Sequence, residues 1–169
     1  LTIDDPELKK VQGYRCPNSL ADKGCAIYER RPNMCRTFFC GWRLLKWVPE
    51  PLRPDRSGVL IRLHGERLRQ TGGHKLGIIV TLLTNAAIKS EGLAETVAAA
   101  VASDAPVYLN VPGPPGYTGS QARLNEALVD AVQTKNKEAV LQILRQARAK
   151  GRSGPRRAIV LATDETTEG

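Results

Sequence analysis

After residue 40 the chain has no cysteine at all, while the stretch up to and including it holds four, at Cys16, Cys25, Cys35 and Cys40. Aromatic residues are scarce as well, at 5% of the chain, and Tyr108 and Tyr117 are the last of them after Trp47. The later part must therefore pack from Ala, Val, Leu and Ile. No apolar run approaches the roughly 18 residues of a membrane span, and nothing near the N-terminus reads as a signal peptide. With two histidines in 169 residues, no Ser/His/Asp order can be argued, and no paired-carboxylate pattern stands out. Hydrolytic triads and glycosidase-type acid pairs drop away on that ground. The first residue is Leu rather than Met, which leads us to expect a fragment or a processed start.

What is present begins with the cysteines. Free cysteine usually serves as a scattered small core residue, so confinement of all four to Cys16–Cys40 signals a local cross-link. Three readings are open. A disulfide framework suits short secreted chains, but no secretory feature is present. Unlinked structural cysteines are the bland reading. The third is a thiolate site for Zn²⁺ or an iron–sulfur cluster, and it is the one favoured. Arg30, Arg31, Arg36 and Arg43 crowd the ligands, and nearby cations favour thiolate over thiol. A solvated surface is the plainer account of the same arginines.

The net charge is +8. The excess collects in the cysteine stretch and in one late segment, 148–157, with Arg148, Lys150, Arg152, Arg156 and Arg157 and no acid. A basic excess permits nucleic-acid contact. Here Gly151 and Gly154 interrupt the segment and no aromatic flanks it for stacking, so a nucleic-acid partner is disfavoured.

Along the chain, residues 1–15 are polar and loop-like, and Ala26-Ile27-Tyr28 is expected as a short extended piece. Pro32 opens a helix with Gly41 just past its end. An unbroken helix from Pro32 to Cys40 would set Cys35 and Cys40 about 140° apart, so unwinding near Phe38–Cys40 is expected. Residues 48–58, with three prolines, read as a linker. Beyond it we expect strands at Val59–Leu63, Leu76–Leu83 and Val107–Val111. A helix is expected over about Ser90–Ser103. Thr118 with Gln121 fits a capping box for a helix with Leu124, Leu128, Ala131 and Val132 on one face. Asn136 caps a further helix, with Val140, Leu141, Leu144 and Ala147 inward and Gly151 at its end. Residues 157–162 are a candidate fourth strand, and 163–169 a disordered tail.

The resulting expectation is an α+β protein. A Cys-rich metal-binding unit (1–47) and a linker (48–58) precede a unit (59–162) of about four mixed strands covered on one face by about three helices. His64 and His74 bracket a polar connector and are secondary candidates as ligands or base. The glycine-rich loop 112–119 lies between a strand and an expected helix, the setting for phosphate binding, but it lacks a P-loop lysine.

The stretch Gly24-Cys25-Ala26-Ile27-Tyr28-Glu29-Arg30-Arg31-Pro32, followed by Cys35-Arg36-Thr37-Phe38-Phe39-Cys40-Gly41-Trp42, resembles the YkgJ-like cysteine-cluster family. The likeness covers roughly residues 1–56. It implies a cytoplasmic bacterial protein with a zinc- or iron-chelating domain, related to the flagellin lysine methylases. The family has a Cys-x-x-Cys-Cys group shortly upstream of this pattern, and the chain starts at Leu1 without it. The leading functional expectation is a metal-binding protein with Cys16, Cys25, Cys35 and Cys40 as ligands to zinc or an iron–sulfur cluster, with or without a protein partner. The alternatives are a cluster-dependent lysine methylase-like enzyme and a nucleic-acid-binding module built on 148–157.

Overall fold

In the computed structural model, residues 10–21, 24–67 and 73–160 are described. They fall into two compact units. The first takes the chain up to Phe38, Pro112–Gly119 and the residues from Pro155 on; the second takes Phe39–Val111 and Ser120–Gly154. The protein is α+β, as expected.

Among the described residues, the buried apolar core lies in the second unit. Its sheet runs β3 (Val59–Arg67), β4 (His74–Leu82), β5 (Val107–Val111) and β6 (Ser120–Arg123), in that spatial order. β3 and β4 form an antiparallel hairpin from Val59↔Leu82 to Arg67↔His74. Helix α4 (Leu93–Ala102) crosses over to β5, which lies parallel to β4. β6 returns antiparallel to β5. Helices α5 (Asn125–Gln133) and α6 (Lys137–Ser153) complete the unit.

Strand alternation sends Val59, Ile61, Ile78, Val80, Leu82, Val107, Leu109 and Val111 to one face. There they join Leu93, Val97, Leu128, Val140 and Leu144 from the three helices in one core. Each fully buried Leu or Val stabilises by about 1.5–3 kcal/mol relative to exposure. Asn136 caps α6 as expected, its side chain accepting the Ala139 N–H at 3.0 Å.

Several expectations need correcting. Residues 48–58 are not a linker. Val48 and Leu52 are buried in the sheet unit's core, and the prolines form helical turns. Pro49 precedes a 3₁₀ turn over Glu50–Leu52, and Pro54 opens α3 (Pro54–Ser57). Proline preset for a first helical turn looks in sequence like proline in a linker. The boundary between units therefore falls at Phe38/Phe39, not at 48–58.

Gly41 does not trail a helix; it starts α2 (Gly41–Leu44). A Cβ there would lie 2.7 Å from Ile61 Cγ2, so glycine lets this turn rest on β3. Gly151 does not end α6 either, since the helix continues to Ser153. A Cβ at Gly151 would meet Ser120 Oγ and Val111 Cγ2, both at 2.7 Å, so this glycine serves close approach of helix to sheet.

The capping box at Thr118 and Gln121 is absent, because Gln121 lies in β6 opposite Asn110. That strand is the sheet's fourth. The candidate at 157–162 makes only an isolated bridge, Ala158 to Tyr117, within the first unit; its residues 161 and 162, and the expected tail 163–169, lie outside the described residues.

Candidate metal centre

The first three cysteines sit on short elements of the first unit. Pro17 and Asn18 occupy the middle of a turn closed by Ser19 N–H donating to Cys16 O at 3.0 Å, a use of those residue types that turns favour. The turn feeds β1 (Ser19–Leu20), which pairs antiparallel with β2 (Gly24–Cys25), Ser19 opposite Cys25. Cys16 and Cys25 are thus carried on one small hairpin. Ala26 and Ile27 turn instead of extending, and Tyr28–Arg30 form a 3₁₀ turn, which corrects the extended piece expected there.

Cys35 lies in α1 (Asn33–Thr37). Phe38 has extended backbone, so the helix stops short of Cys40 as expected. The arginines beside it are committed to local structure. Arg36 donates from Nε to Arg31 O and from Nη2 to Glu29 O, each at 2.8 Å. That fork ties the 3₁₀ turn to α1. The Arg31 guanidinium stacks 3.8 Å over the Tyr28 ring, a cation–π contact.

Cys40 belongs to the second unit, where its carbonyl accepts from Arg43 N–H at 3.0 Å and Leu44 N–H at 3.3 Å to start α2. None of the four cysteines is in a disulfide, and all four are partly exposed, so the structure holds no disulfide framework. Their donor chemistry suits zinc or an iron–sulfur cluster. Among the described residues, however, no three His, Cys, Asp or Glu side chains are gathered in reach of one ion.

The histidines prove to be strand residues rather than the ends of a polar loop. His74 is exposed and pairs with Arg67. His64 meets the Tyr108 ring edge-on, centroids 5.1 Å apart. On that same sheet face Tyr108 Oη donates to Glu66 Oε2 at 2.8 Å and Arg123 Nη1 donates to Glu66 Oε1 at 3.1 Å. Sequence reading missed this network. Its signal was the alternation Arg62, His64, Glu66 in one strand, but only sheet register supplies Tyr108 and Arg123.

Burial, then the bond to Glu66, raises the Tyr108 phenol above its ordinary range. A raised value means that the folded state holds the proton more tightly. The associated stability is complete below the ordinary phenol range and is lost as pH rises through the folded value. Ultraviolet titration should show the Tyr108 phenol ionising above its ordinary range, and Glu66→Gln should lower it.

Two of the late basic residues are also tied down. Arg148 Nη2 donates to Thr84 O and Arg152 Nη2 to Asn85 Oδ1, both at 2.9 Å. The loop 112–119 connects two strands, β5 and β6, so no helix N-terminus follows it and the setting for phosphate binding is gone. No helix among the described residues is long and apolar enough to cross a membrane. Comparison with known protein families, curated proteins and solved structures yields no match to this chain.

Proposed function

We propose that the chain is a metal-binding protein in which Cys16, Cys25, Cys35 and Cys40 hold zinc or an iron–sulfur cluster. The observation that carries this reading is the confinement of every cysteine to Cys16–Cys40, all four outside any disulfide and partly exposed. The resemblance of Gly24–Trp42 to the cysteine-cluster family supports the same reading, together with a cytoplasmic, bacterial setting. A site of this kind rarely exists in the unfolded chain, so metal binding and local folding are coupled. On this proposal the short cysteine-bearing elements close around the centre when it binds. No residue here is assigned to substrate, so no catalytic role is proposed.

The test is metal analysis of protein purified without oxygen, with a visible absorption spectrum to separate iron–sulfur from zinc. Retained metal that single Cys→Ser changes at the four positions release supports the proposal. Protein that carries no metal, and takes up none from added Zn²⁺ or on cluster reconstitution, refutes it.

A further inference from the structure

The first unit is assembled from three separate stretches of chain, and loop 112–119 bonds to both of the others. On one side Gly116 N–H donates to Gln12 O at 3.3 Å. On the other, Ile159 N–H donates to Gly116 O and Thr118 N–H donates to Arg157 O, each at 2.8 Å. Between those two bonds Tyr117 bridges to Ala158.

The contact on the Gln12 side is a close approach of two backbones. Gly13 has φ +87°, which side chains rarely tolerate, and a Cβ there would lie 2.7 Å from Pro115 Cα. The Tyr14 ring lies beside Gly116, its Cε2 3.5 Å from where a Cβ on that glycine would stand. Pro114 and Pro115 have φ fixed by their rings, so the surface offered to Gly13 is stiff. Two residues beyond Tyr14 stands Cys16, which opens the turn into the hairpin that carries Cys25.

We propose that residues 157–159 are a strap: paired to loop 112–119, they hold it as a platform for Gln12–Tyr14, and the platform positions Cys16 for the metal centre. The role at the centre rests on the metal-binding reading; the docking does not. A centre whose ligands are spread over Cys16–Cys40 must offset the closure entropy of the loops between them. With one end of that stretch already docked, less entropy remains to be lost on binding, and bound metal is held longer. The strap follows α6 in the chain, so an event that frees it loosens the metal without touching a ligand.

The test is hydrogen exchange on the metal-free full chain, read by mass over residues 11–20 and 155–160, and then loss of bound zinc, or of a reconstituted cluster, to a chelator. Ile159→Pro removes the N–H that Gly116 O accepts and should speed exchange in both regions by about fivefold. Gly13→Ala spoils the dock alone. It should speed exchange over 11–20 by about as much and leave 155–160 as in the native chain. Both variants should keep the native metal stoichiometry and lose metal about three- to tenfold faster. Val160→Ser, at an exposed site, should change neither measurement. Equal loosening of both regions by Gly13→Ala would mean that the unit opens as a whole, and would overturn the strap. Native exchange over 11–20 in Ile159→Pro would do the same. Faster exchange with native metal loss would sink the positioning of Cys16. A native chain that takes up neither zinc nor a cluster refutes the metal reading, and with it any role at the centre, while the exchange result still decides the docking.

Discussion

Leu52→Ala is expected to destabilise the sheet unit by about 2–5 kcal/mol, the usual cost of truncating a buried leucine. The residue comes from a stretch whose composition reads as a linker, yet its side chain is completely buried. It lies in one core with Val59, Val80 and Leu93. The lost methyl groups remove transfer free energy and leave a cavity, and the 3₁₀ turn carrying them is pinned between prolines and cannot easily collapse to fill it. Arg56→Ala, four residues on at an exposed site, should change stability by no more than about 0.5 kcal/mol. Denaturant unfolding of the pair would settle the matter: the Leu52→Ala midpoint should fall with little change in slope. If both variants unfold at the native midpoint, residues 48–58 behave as a linker after all.

The contrast between the two units explains what could be read from the residues. In the second unit, periodicity carried the reading. Val107–Val111 alternates, and its strand was placed correctly to the residue. Leu128 with Ala131, and Val140 with Leu144, recur at helical spacing and are buried as expected. Asn136 has one good use at that position and takes it. Errors gathered where one residue type serves two purposes. Pro49 and Pro54 open helical turns, Gly151 allows contact inside a helix, and Thr118 receives a strand-like partner rather than capping a helix. Its Oγ1 accepts from Arg157 N–H at 3.2 Å, and its own N–H donates to Arg157 O at 2.8 Å. Nothing local distinguishes these alternatives, since the deciding contact is distant in sequence. The network of His64, Glu66, Tyr108 and Arg123 was hidden for the same reason. In the cysteine stretch the residue types announced the chemistry, but no periodic pattern exists there to announce geometry.

Cys35→Ser is expected to abolish metal retention and to open residues 24–38 to proteases, while the sheet unit keeps its thermal midpoint. Every apolar side chain in the buried core, from Val48 to Leu144, belongs to the second unit. In the first unit the large apolar groups Tyr14, Tyr28 and Met34 stand about half exposed. Its elements among the described residues are two-residue strands, a three-residue 3₁₀ turn and a five-residue helix, far below the length at which a helix persists unaided. A unit of this kind needs a staple. Thiolate binding can provide one, since structural zinc contributes about 10–16 kcal/mol to the folding of small zinc domains. Serine retains the size of the side chain but offers a far poorer ligand, so the staple fails without a packing defect. Cleavage should concentrate in the cysteine-bearing elements rather than at 48–58, where Val48 and Leu52 anchor the backbone. Arg36→Ala separates the ligand from its scaffold: it cuts the fork to Glu29 and Arg31 but leaves all four thiols, so it should loosen metal retention less than Cys35→Ser. The measurements are metal retained against a chelator, mass mapping of early proteolytic cuts, and calorimetry. Native retention and an unchanged cutting pattern in Cys35→Ser would remove Cys35 from the ligand set. A fall of the sheet unit's midpoint together with metal loss would mean that the two units fold as one.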